Sequence, residues 1–395
     1  MTRLKELIKE LCPNGVPQKR LDEICHILDN KRKPITKSAR EFGVYPYYGA
    51  NGVQDYVSDY IFDGTYILIG EDGSVITASG HPVVNWVTGK VWVNNHAHIL
   101  GEKEGVLLRY LFHYIQTIDI SSLVHGNIPK LTGGDLRALQ IPVPPLPVQE
   151  EIVRILDSFT ELTAELTAEL TAELTARKKQ YEYYRDKMLT SSSSIEWISL
   201  GEIATVTKLA GFEFTNFVKY SDNGKIIALR GLNVKNGRLD LSDVKYIDGS
   251  DFSKLSRSKL KIGDMLFTYV GTVGQVALVD ENDKYYLAPN VALIRLNTAN
   301  VLPKFMMYYF QTNTFWDSQI GKLLQSSSMQ NIPMEKIRKF RLPLIPLETQ
   351  NKIVQVLDNF DSICSDLKIG LPAEIKARKK QYEYYRDKLL NSLEE

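Results

Sequence analysis

The sequence lacks several features that mark common classes of protein. Only three of its 395 residues are cysteines, Cys12, Cys25 and Cys364, and no two of them form a CxxC pair. Such sparse cysteines cannot build a disulfide framework, so we expect buried thiols in a cytosolic protein. No apolar run approaches the roughly 18 residues of a membrane span. The N-terminal residues favour an amphipathic helix over a signal peptide.

An excess of charge of one sign is also missing. Lysine and arginine number 48 against 47 aspartates and glutamates, so the net charge is only +1. Any surface for a nucleic acid must therefore be local. The length predicts two or three domains, and a composition that is 44% apolar and 10% aromatic is typical of a globular protein rather than a disordered one.

Motifs for catalysis are absent as well. The sequence has no GxxxxGK[ST] phosphate loop, no GxSxG elbow and no Asn/Asp-Pro-Pro-aromatic motif of an amino-methyltransferase. The glycine-rich segments 70–73 and 271–274 are predicted to be turns, because neither sits in a strand–GxGxxG–helix context. His96 and His98 would share one strand face, but no third ligand follows at metal spacing. We therefore predict a non-catalytic chain without a metal site.

The strongest feature that is present is an internal repeat. Residues 176–187 read ARKKQYEYYRDK, and residues 377–388 repeat all twelve letters 201 positions later. With other offsets, residues 21–24 match 200–203 and residues 127–129 match 331–333. The chain thus has two halves, each a diverged block followed by a nearly unchanged segment. Two different blocks suggest two ligands or two parts of one ligand, whereas two copies of one segment suggest two copies of one partner.

The repeated segments are predicted to be long helices. No glycine or proline occurs from Val148 to Leu189, which would give a helix about 63 Å long. In the second copy, Gly370-Leu371-Pro372 should break the helix and restart it. We expect the two helices to pack as an antiparallel pair, because a whole block separates them.

The first of these helices contains three Thr-Ala-Glu-Leu units, residues 163–174. Four residues advance a helix by about 6 Å and leave a rotation of about 40°. The repeated leucines could form a coiled-coil seam. Alternatively, the units could be a spacer whose length changes by whole units.

The diverged blocks are predicted to be mostly β structure with helices mixed in. Short strand-like runs bounded by glycine, asparagine or aspartate occupy residues 66–69, 91–93, 265–267 and 291–294. Matching helices are expected over residues 107–117 and 302–312.

Both blocks also contain local clusters that suit DNA. Basic groups favour phosphate contacts, whereas amides, guanidinium groups and aromatics in loops can read base edges. For any single residue, a solvated surface role is the alternative, and the tyrosines between 45 and 66 could belong to the core. The phosphate candidates are Lys31, Arg32, Lys33, Lys254, Arg257 and Lys259. The base-reading candidates are Tyr47, Tyr48, Asn51, His125 and Asn127 in the first block and Lys208, Arg230, Gln275, Gln330 and Asn331 in the second.

Together these features resemble the specificity (S) subunit of type I restriction-modification systems. The resemblance covers essentially the whole chain and is carried by residues 45–74 and 263–279, the helix entries PPLPVQ and IPLETQ, the duplicated RKKQYEYYRD and the Thr-Ala-Glu-Leu units. It implies two target recognition domains that each read one part of a split double-stranded DNA site. It also implies helices that act as spacer and dock two modification (M) subunits, which methylate adenine at N6, while restriction (R) subunits add ATP-driven translocation and cleavage.

The expected architecture is an α+β fold with an internal pseudo-twofold repeat. Mixed, mostly β target recognition domains would span residues 1–147 and 191–348, separated by two long antiparallel helices over 148–190 and 349–395, the second kinked near 370–372. This chain would hold no cofactor, because S-adenosylmethionine, ATP and Mg²⁺ belong to the partner subunits, and it would lie in the cytoplasm. The expected M-docking stripe comprises Tyr181, Tyr184 and Met188 together with Tyr382, Tyr385 and Leu389. Alternatively, these side chains could form a core between helices.

Two other classes of function are compatible with parts of the sequence. A stand-alone nuclease or methyltransferase with a split catalytic domain would act on DNA without partners, but the missing motifs argue against it. A coiled-coil scaffold for protein partners would bind no DNA at moderate salt, and it would leave the diverged blocks without a role.

The Thr-Ala-Glu-Leu units generate a first prediction. Deleting Thr171–Leu174 should shorten the tolerated DNA spacer by about one base pair, because a helical drift of about 40° is close to the 34–36° twist of one base pair. Both half-sites should stay unchanged. Methylation of targets with graded spacers measures this, and a deletion variant that methylates the original spacing with full efficiency would contradict it.

Overall fold

The computed structural model describes residues 2–190, 196–324, 331–365, 369–391 and 393. The chain divides into two compact units, the first comprising Met1–Glu169 and Ile375–Glu395 and the second Leu170–Glu374. Each unit therefore contains one diverged block together with helical segments from both halves of the sequence. The α-helices are α1 (Thr2–Leu11), α2 (Leu21–Ile24), α3 (Leu108–Ile115), α4 (Gly133–Ala138), α5 (Leu146–Thr190), α6 (Leu200–Ile203), α7 (Gly211–Phe217), α8 (Pro303–Phe310), α9 (Asn313–Phe315), α10 (Gly321–Leu324), α11 (Met334–Arg338), α12 (Leu347–Ser365) and α13 (Leu371–Asn391).

The first unit is built on a six-stranded sheet. Its strand order is β2-β7-β5-β6-β3-β4, where only β3 and β6 run parallel, and β1 pairs with β8 in a separate antiparallel ribbon. Helix α3, which lies within the helix predicted over residues 107–117, packs on this sheet. The strands are β1 (Gln18–Arg20), β2 (His26–Ile27), β3 (Phe42–Gly49), β4 (Gly52–Val57), β5 (Phe62–Gly70), β6 (Val84–Val93), β7 (Ala97–Gly101) and β8 (Gln140–Pro142).

The second unit has a different arrangement of strands. An antiparallel sheet of order β10-β18-β15-β16 lies beside a three-stranded sheet of order β14-β11-β17, and two ribbons pair β12 with β13 and β9 with β19. The strands are β9 (Glu196–Ser199), β10 (Ala204–Lys208), β11 (Ile227–Leu229), β12 (Val234–Lys235), β13 (Arg238–Leu239), β14 (Lys245–Tyr246), β15 (Met265–Thr268), β16 (Val276–Leu278), β17 (Tyr285–Leu287), β18 (Val291–Leu296) and β19 (Arg341–Leu344).

Although their sheets differ, each unit has its own equivalent two-stranded antiparallel ribbon, which we call the closing ribbon. In the first, Arg20 of β1 pairs with Gln140 of β8; in the second, Ser199 of β9 pairs with Arg341 of β19. These partners are related by the same offsets that the sequence repeats show. The internal repeat is therefore a repeat of structure as well as of sequence.

One glutamine fixes the start of each long helix to its block. Gln149 is fully buried; its side-chain oxygen accepts from Leu107 N at 2.8 Å, and its Nε2 donates to the carbonyls of Gly105 and Pro144. Gln350 makes the three equivalent bonds, to Leu302 N and to the carbonyls of Asn300 and Ile345. Each glutamine thus ties its long helix to the adjacent domain helix, and we call each set of three hydrogen bonds a glutamine clamp.

The duplicated segments complete the two cores. Leu389 and Leu390 of α13 are buried in the first unit, and Leu189 of α5 is buried in the second. Within the first unit, Phe159 lies against Tyr385 with ring centroids 6.5 Å apart, and Phe360 lies against Tyr184 at 6.2 Å in the second. Because both contacts join the same pair of repeat positions, each unit packs one copy against the start of the other long segment, as an antiparallel pair.

The expected break in the second long segment is present between α12 and α13, and α13 restarts at Leu371 beside Pro372. All three cysteines are buried free thiols, as predicted.

The glutamine clamp generates a second prediction. Changing Gln149 to alanine should lower the free energy of unfolding of the first unit by about 2 kcal/mol or more, because it removes three hydrogen bonds to the main chain, one of them fully buried. Chemical denaturation measures this. Gln140→Ala, an exposed site in the same unit, is the matched control and should change stability by less than about 0.5 kcal/mol. Equal effects of the two substitutions would refute the clamp.

Candidate nucleic-acid interface

The repeated Asn-Ile-Pro segments lie at equivalent ends of the two central sheets. In the first unit, Asp72 bridges to Lys130, and Gly73 N donates to Pro129 O at 2.9 Å. In the second, Val270 bridges to Asn331, and Ile332 N donates to Tyr269 O at 2.9 Å. In both units the turn that follows a central strand is held against this segment. We call the turn, this segment and the residues around them the tip of each unit.

The tip of the first unit comprises residues 29–33, 71–73, 94–98 and 125–130. Lys31 and Lys33 are exposed there, so both can reach a phosphate. Arg32 differs, because its side chain is only 13% exposed and its guanidinium pairs with Glu71 and donates to Ala97 O. The structure thus gives Arg32 a role inside the tip rather than on its surface. Lys130, which the sequence did not single out, joins the same network through Glu71 at 3.2 Å.

A buried histidine stands at the centre of this network. His98 is 1% exposed; its Nδ1 lies 2.7 Å from Asp29 Oδ2 and its Nε2 lies 3.0 Å from Leu131 O. Both ring nitrogens of His98 therefore lie beside oxygen atoms inside the tip. Burial would raise the pKa of Asp29, but the hydrogen bond from His98 and the charges of His98 and Arg32 outweigh it and lower that pKa.

Asp29, Glu71 and His98 lie close enough together to resemble a metal site. Their surroundings argue against one, because the Arg32 guanidinium already pairs with both Asp29 and Glu71, and Lys130 adds a second positive charge at Glu71. The cluster is an ionic network that supports the tip.

The remaining candidates of the first unit divide between core and surface. Tyr47 is 1% exposed, and its hydroxyl bonds to the main chain of Ile35, so its ring belongs to the core. Asn51 is exposed in the turn between β3 and β4. Asn94 N donates to the carbonyl of half-buried Tyr48 at 3.0 Å, which joins this hairpin to the tip. His125 and Asn127 are exposed within the tip itself.

The tip of the second unit has two clefts that flank the turn 269–275. One, of about 490 Å³, is lined by Lys208, Arg257, Tyr269 and Asn331, and Arg257 pairs there with Glu213. The other, of about 810 Å³, is lined by both Arg230 and Gln275. The structure thus brings together five of the sequence-predicted residues around one turn. Gln330 lies outside the described residues.

The turn itself depends on glycine. Gly271 and Gly274 have φ values of +78° and +87°, and a Cβ at Gly274 would collide with the Trp316 ring. The turn joins β15 to β16, as the glycine pattern predicted.

Two of the other lysines differ in their availability. Lys254 is exposed, whereas Lys259 is half-buried and pairs with Asp283 at 2.5 Å. Sequence reasoning also missed Asn236 and Asn290, which line the larger cleft. The dipeptide Asn236-Gly237, a typical two-residue hairpin turn, was the signal available for the first of these.

The expected M-docking stripe divides between packed and exposed side chains. Tyr181 lies 6.5 Å from Phe360, and burial raises the pKa of Tyr181 to about 12. Met188 is half-buried against the second core, and Leu389 is 3% exposed in the first.

The other tyrosines of the stripe are less buried. Tyr382 bonds to Thr160 at 2.9 Å, but Tyr385 keeps 45% of its surface exposed and Tyr184 keeps 36%. The repeat-related Tyr183 and Tyr384 are each 59% exposed. Both copies therefore present exposed tyrosines at equivalent positions, one of each pair within the predicted stripe and one beside it.

Comparison with known proteins assigns the family. The type I restriction modification DNA specificity domain matches twice, over residues 13–176 and 193–377. A Haemophilus influenzae protein named as a type I restriction enzyme specificity subunit is 36% identical over 392 residues, covering 98% of both chains. The EcoR124I/EcoR124II specificity subunit of Escherichia coli is 30% identical over 72% of this chain and 71% of that protein.

Solved structures agree at the level of fold. A chain from a study of complex assembly and conformational transition of the type I R-M system superposes with a TM-score of 0.64 at 15% identity, covering 95% of this chain and 97% of that one. The HsdS subunit from Thermoanaerobacter tengcongensis gives 0.50 at 16% identity, covering 96% and 97%.

The chain therefore belongs to the family of type I restriction-modification specificity subunits and contains two copies of the DNA specificity domain. The family resemblance seen in the sequence and the predicted α+β repeat architecture are both confirmed. Among the helices that the structure describes, none is long and apolar enough to cross a membrane.

The histidine network generates a third prediction. Changing His98 to alanine should lower the free energy of unfolding of the first unit by about 2 kcal/mol or more, because it removes the partner of Asp29 Oδ2 and of the buried Leu131 carbonyl. His96→Ala is the matched control, since His96 is 47% exposed two residues away and also pairs with an aspartate. Denaturation of both variants measures the difference. Similar losses for both would contradict a network that depends on His98.

Proposed function

We propose that this chain is the DNA-reading subunit of a type I restriction-modification complex and is itself non-catalytic. Each unit would read one part of a split double-stranded DNA target through its tip. The observation that carries this proposal is that two units with the same closing ribbon, the same glutamine clamp and equivalent tips present different polar groups at those tips. A common frame with unlike side chains suits two unlike half-sites.

The long helices would serve the assembly. Their repeated sequence and their equivalent exposed tyrosines, Tyr183 and Tyr384, support the docking of two identical M subunits. Those subunits would bind S-adenosylmethionine and methylate adenine at N6, and R subunits would use ATP and Mg²⁺ for translocation and cleavage. We place the assembly in the cytoplasm, where chromosomal DNA and reduced thiols would both be found.

Affinity and sequence reading would come from different residues. Lys31, Lys33 and Lys254 are exposed and are the phosphate candidates that the structure leaves most accessible. His125, Asn127 and Asn331 are exposed amide or imidazole groups on the matched segments and suit base edges. Arg230 and Gln275 add a second reading surface in the larger cleft.

The two-reader arrangement gives a fourth prediction. Replacing residues 200–341 with the corresponding block of another family member should change one half-site and leave the other half-site and the spacer unchanged. The reciprocal exchange of residues 21–140, which the repeat offsets define, is the matched control and should change only the other half-site. Methylation mapping of both hybrids measures this, and a hybrid in which both half-sites change would refute separate readers.

A further inference from the structure

The larger cleft of the second unit contains a side chain whose hydrogen-bonding direction is fixed by its own fold. The cleft lies between the turn 269–275 and the β12–β13 hairpin. Asn236, at the tip of that hairpin, donates its main-chain N–H to the side-chain oxygen of Gln275 at 3.1 Å. An N–H can only be matched by the oxygen of an amide, so the Gln275 side chain has one possible orientation.

The rest of the turn holds this glutamine in place. Gln275 N donates to Thr268 Oγ1 at 2.9 Å, and that hydroxyl in turn donates to Thr272 O. Thr268 is 1% exposed, so its position is set by the core. Within the described part of the chain, the Gln275 Nε2 amide has no protein partner, and it is therefore left as a donor for a ligand in the cleft.

A second donor lines the same cleft. Arg230 Nη2 donates to Asp243 Oδ1 at 2.7 Å and to Asp243 O at 2.9 Å. Its Nε is buried and, among the described residues, has no hydrogen-bond partner. The Arg230 side chain is 22% exposed and is held by Asp243, so it is an oriented group rather than a freely moving surface charge.

We propose that this cleft reads a guanine in the half-site of the second unit, and this inference rests on the proposed function. In the major groove guanine presents two acceptors, O6 and N7, and no donor, whereas adenine and cytosine each present a donor and thymine has one acceptor beside a methyl group. Gln275 Nε2 and Arg230 offer donors only, so guanine is the base edge that complements them. A DNA phosphate is also an acceptor, and the experiment distinguishes it.

Gln275→Glu tests the inference directly. Glutamate keeps an oxygen for Asn236 N–H, so the turn retains its hydrogen bond while the group that faces the cleft changes from donor to acceptor. The measurement is the methylation map of cells that express each variant with its methyltransferase, after the block exchange has shown which half-site belongs to the second unit. We expect one guanine of that half-site to lose its preference by roughly tenfold or more, with cytosine, whose N4 is a donor, gaining.

Two further variants sharpen the result. Gln275→Ala should make the same position degenerate, and it carries the test if the glutamate variant does not fold. Gln355→Glu, which makes the same charge change at an exposed site on α12 in the same unit, is the matched control and should leave every position unchanged.

Several outcomes would overturn the inference. Equal loss of methylation at all sites would identify a phosphate contact, because such contacts do not depend on sequence. A change at an adenine, cytosine or thymine, a change in the other half-site, or no change with either Gln275 variant would also exclude a guanine reader here. In all these cases the block exchange still reports separately on the proposed function.

Discussion

The structure depends on the burial of a duplicated helix end by a block from the opposite half of the sequence. In the first unit Leu389 and Leu390 of α13 complete a core that otherwise belongs to residues before Glu169, and in the second Leu189 of α5 does the same for the later block. Burying such leucines is worth about 1.5–3 kcal/mol each. Since the two helix ends come from nearly identical segments, the same kind of helix packing completes both cores.

The repeated frame leaves the tips free to differ. The ribbons, the glutamines and the helix contacts fix each block on its long helix, and none of these elements uses the residues that line the tips. In the first unit the tip is held by charges buried around His98, whereas in the second it is held by a glycine turn between two clefts. Different polar surfaces can therefore be built on one architecture without changing how the blocks join the helices.

Much of the fold could be predicted from the sequence, and particular residues show what could not. The duplicated helix, the break at Gly370–Pro372 and the main strands followed from repetition and local pattern, because those signals are carried by neighbouring residues. The burial of Arg32 could not be predicted, because its partner Glu71 lies 39 positions away in the sequence and only the fold brings the two together. Tyr47 shares its strand and residue type with Tyr48, and burial alone separates them. Gln149 and Gln350 occupy corresponding positions in the helix entries PPLPVQ and IPLETQ, but the three hydrogen bonds that each makes are seen only in the structure.

The central claim is that this chain alone determines which DNA sequence its partners modify. The most direct test is a genome-wide map of N6-methyladenine in cells that express the chain with its methyltransferase, compared with cells that lack only this chain. Our account predicts a split motif, two half-sites at a fixed spacing, that disappears when the chain is absent. An unchanged map in the presence of an active methyltransferase would contradict it.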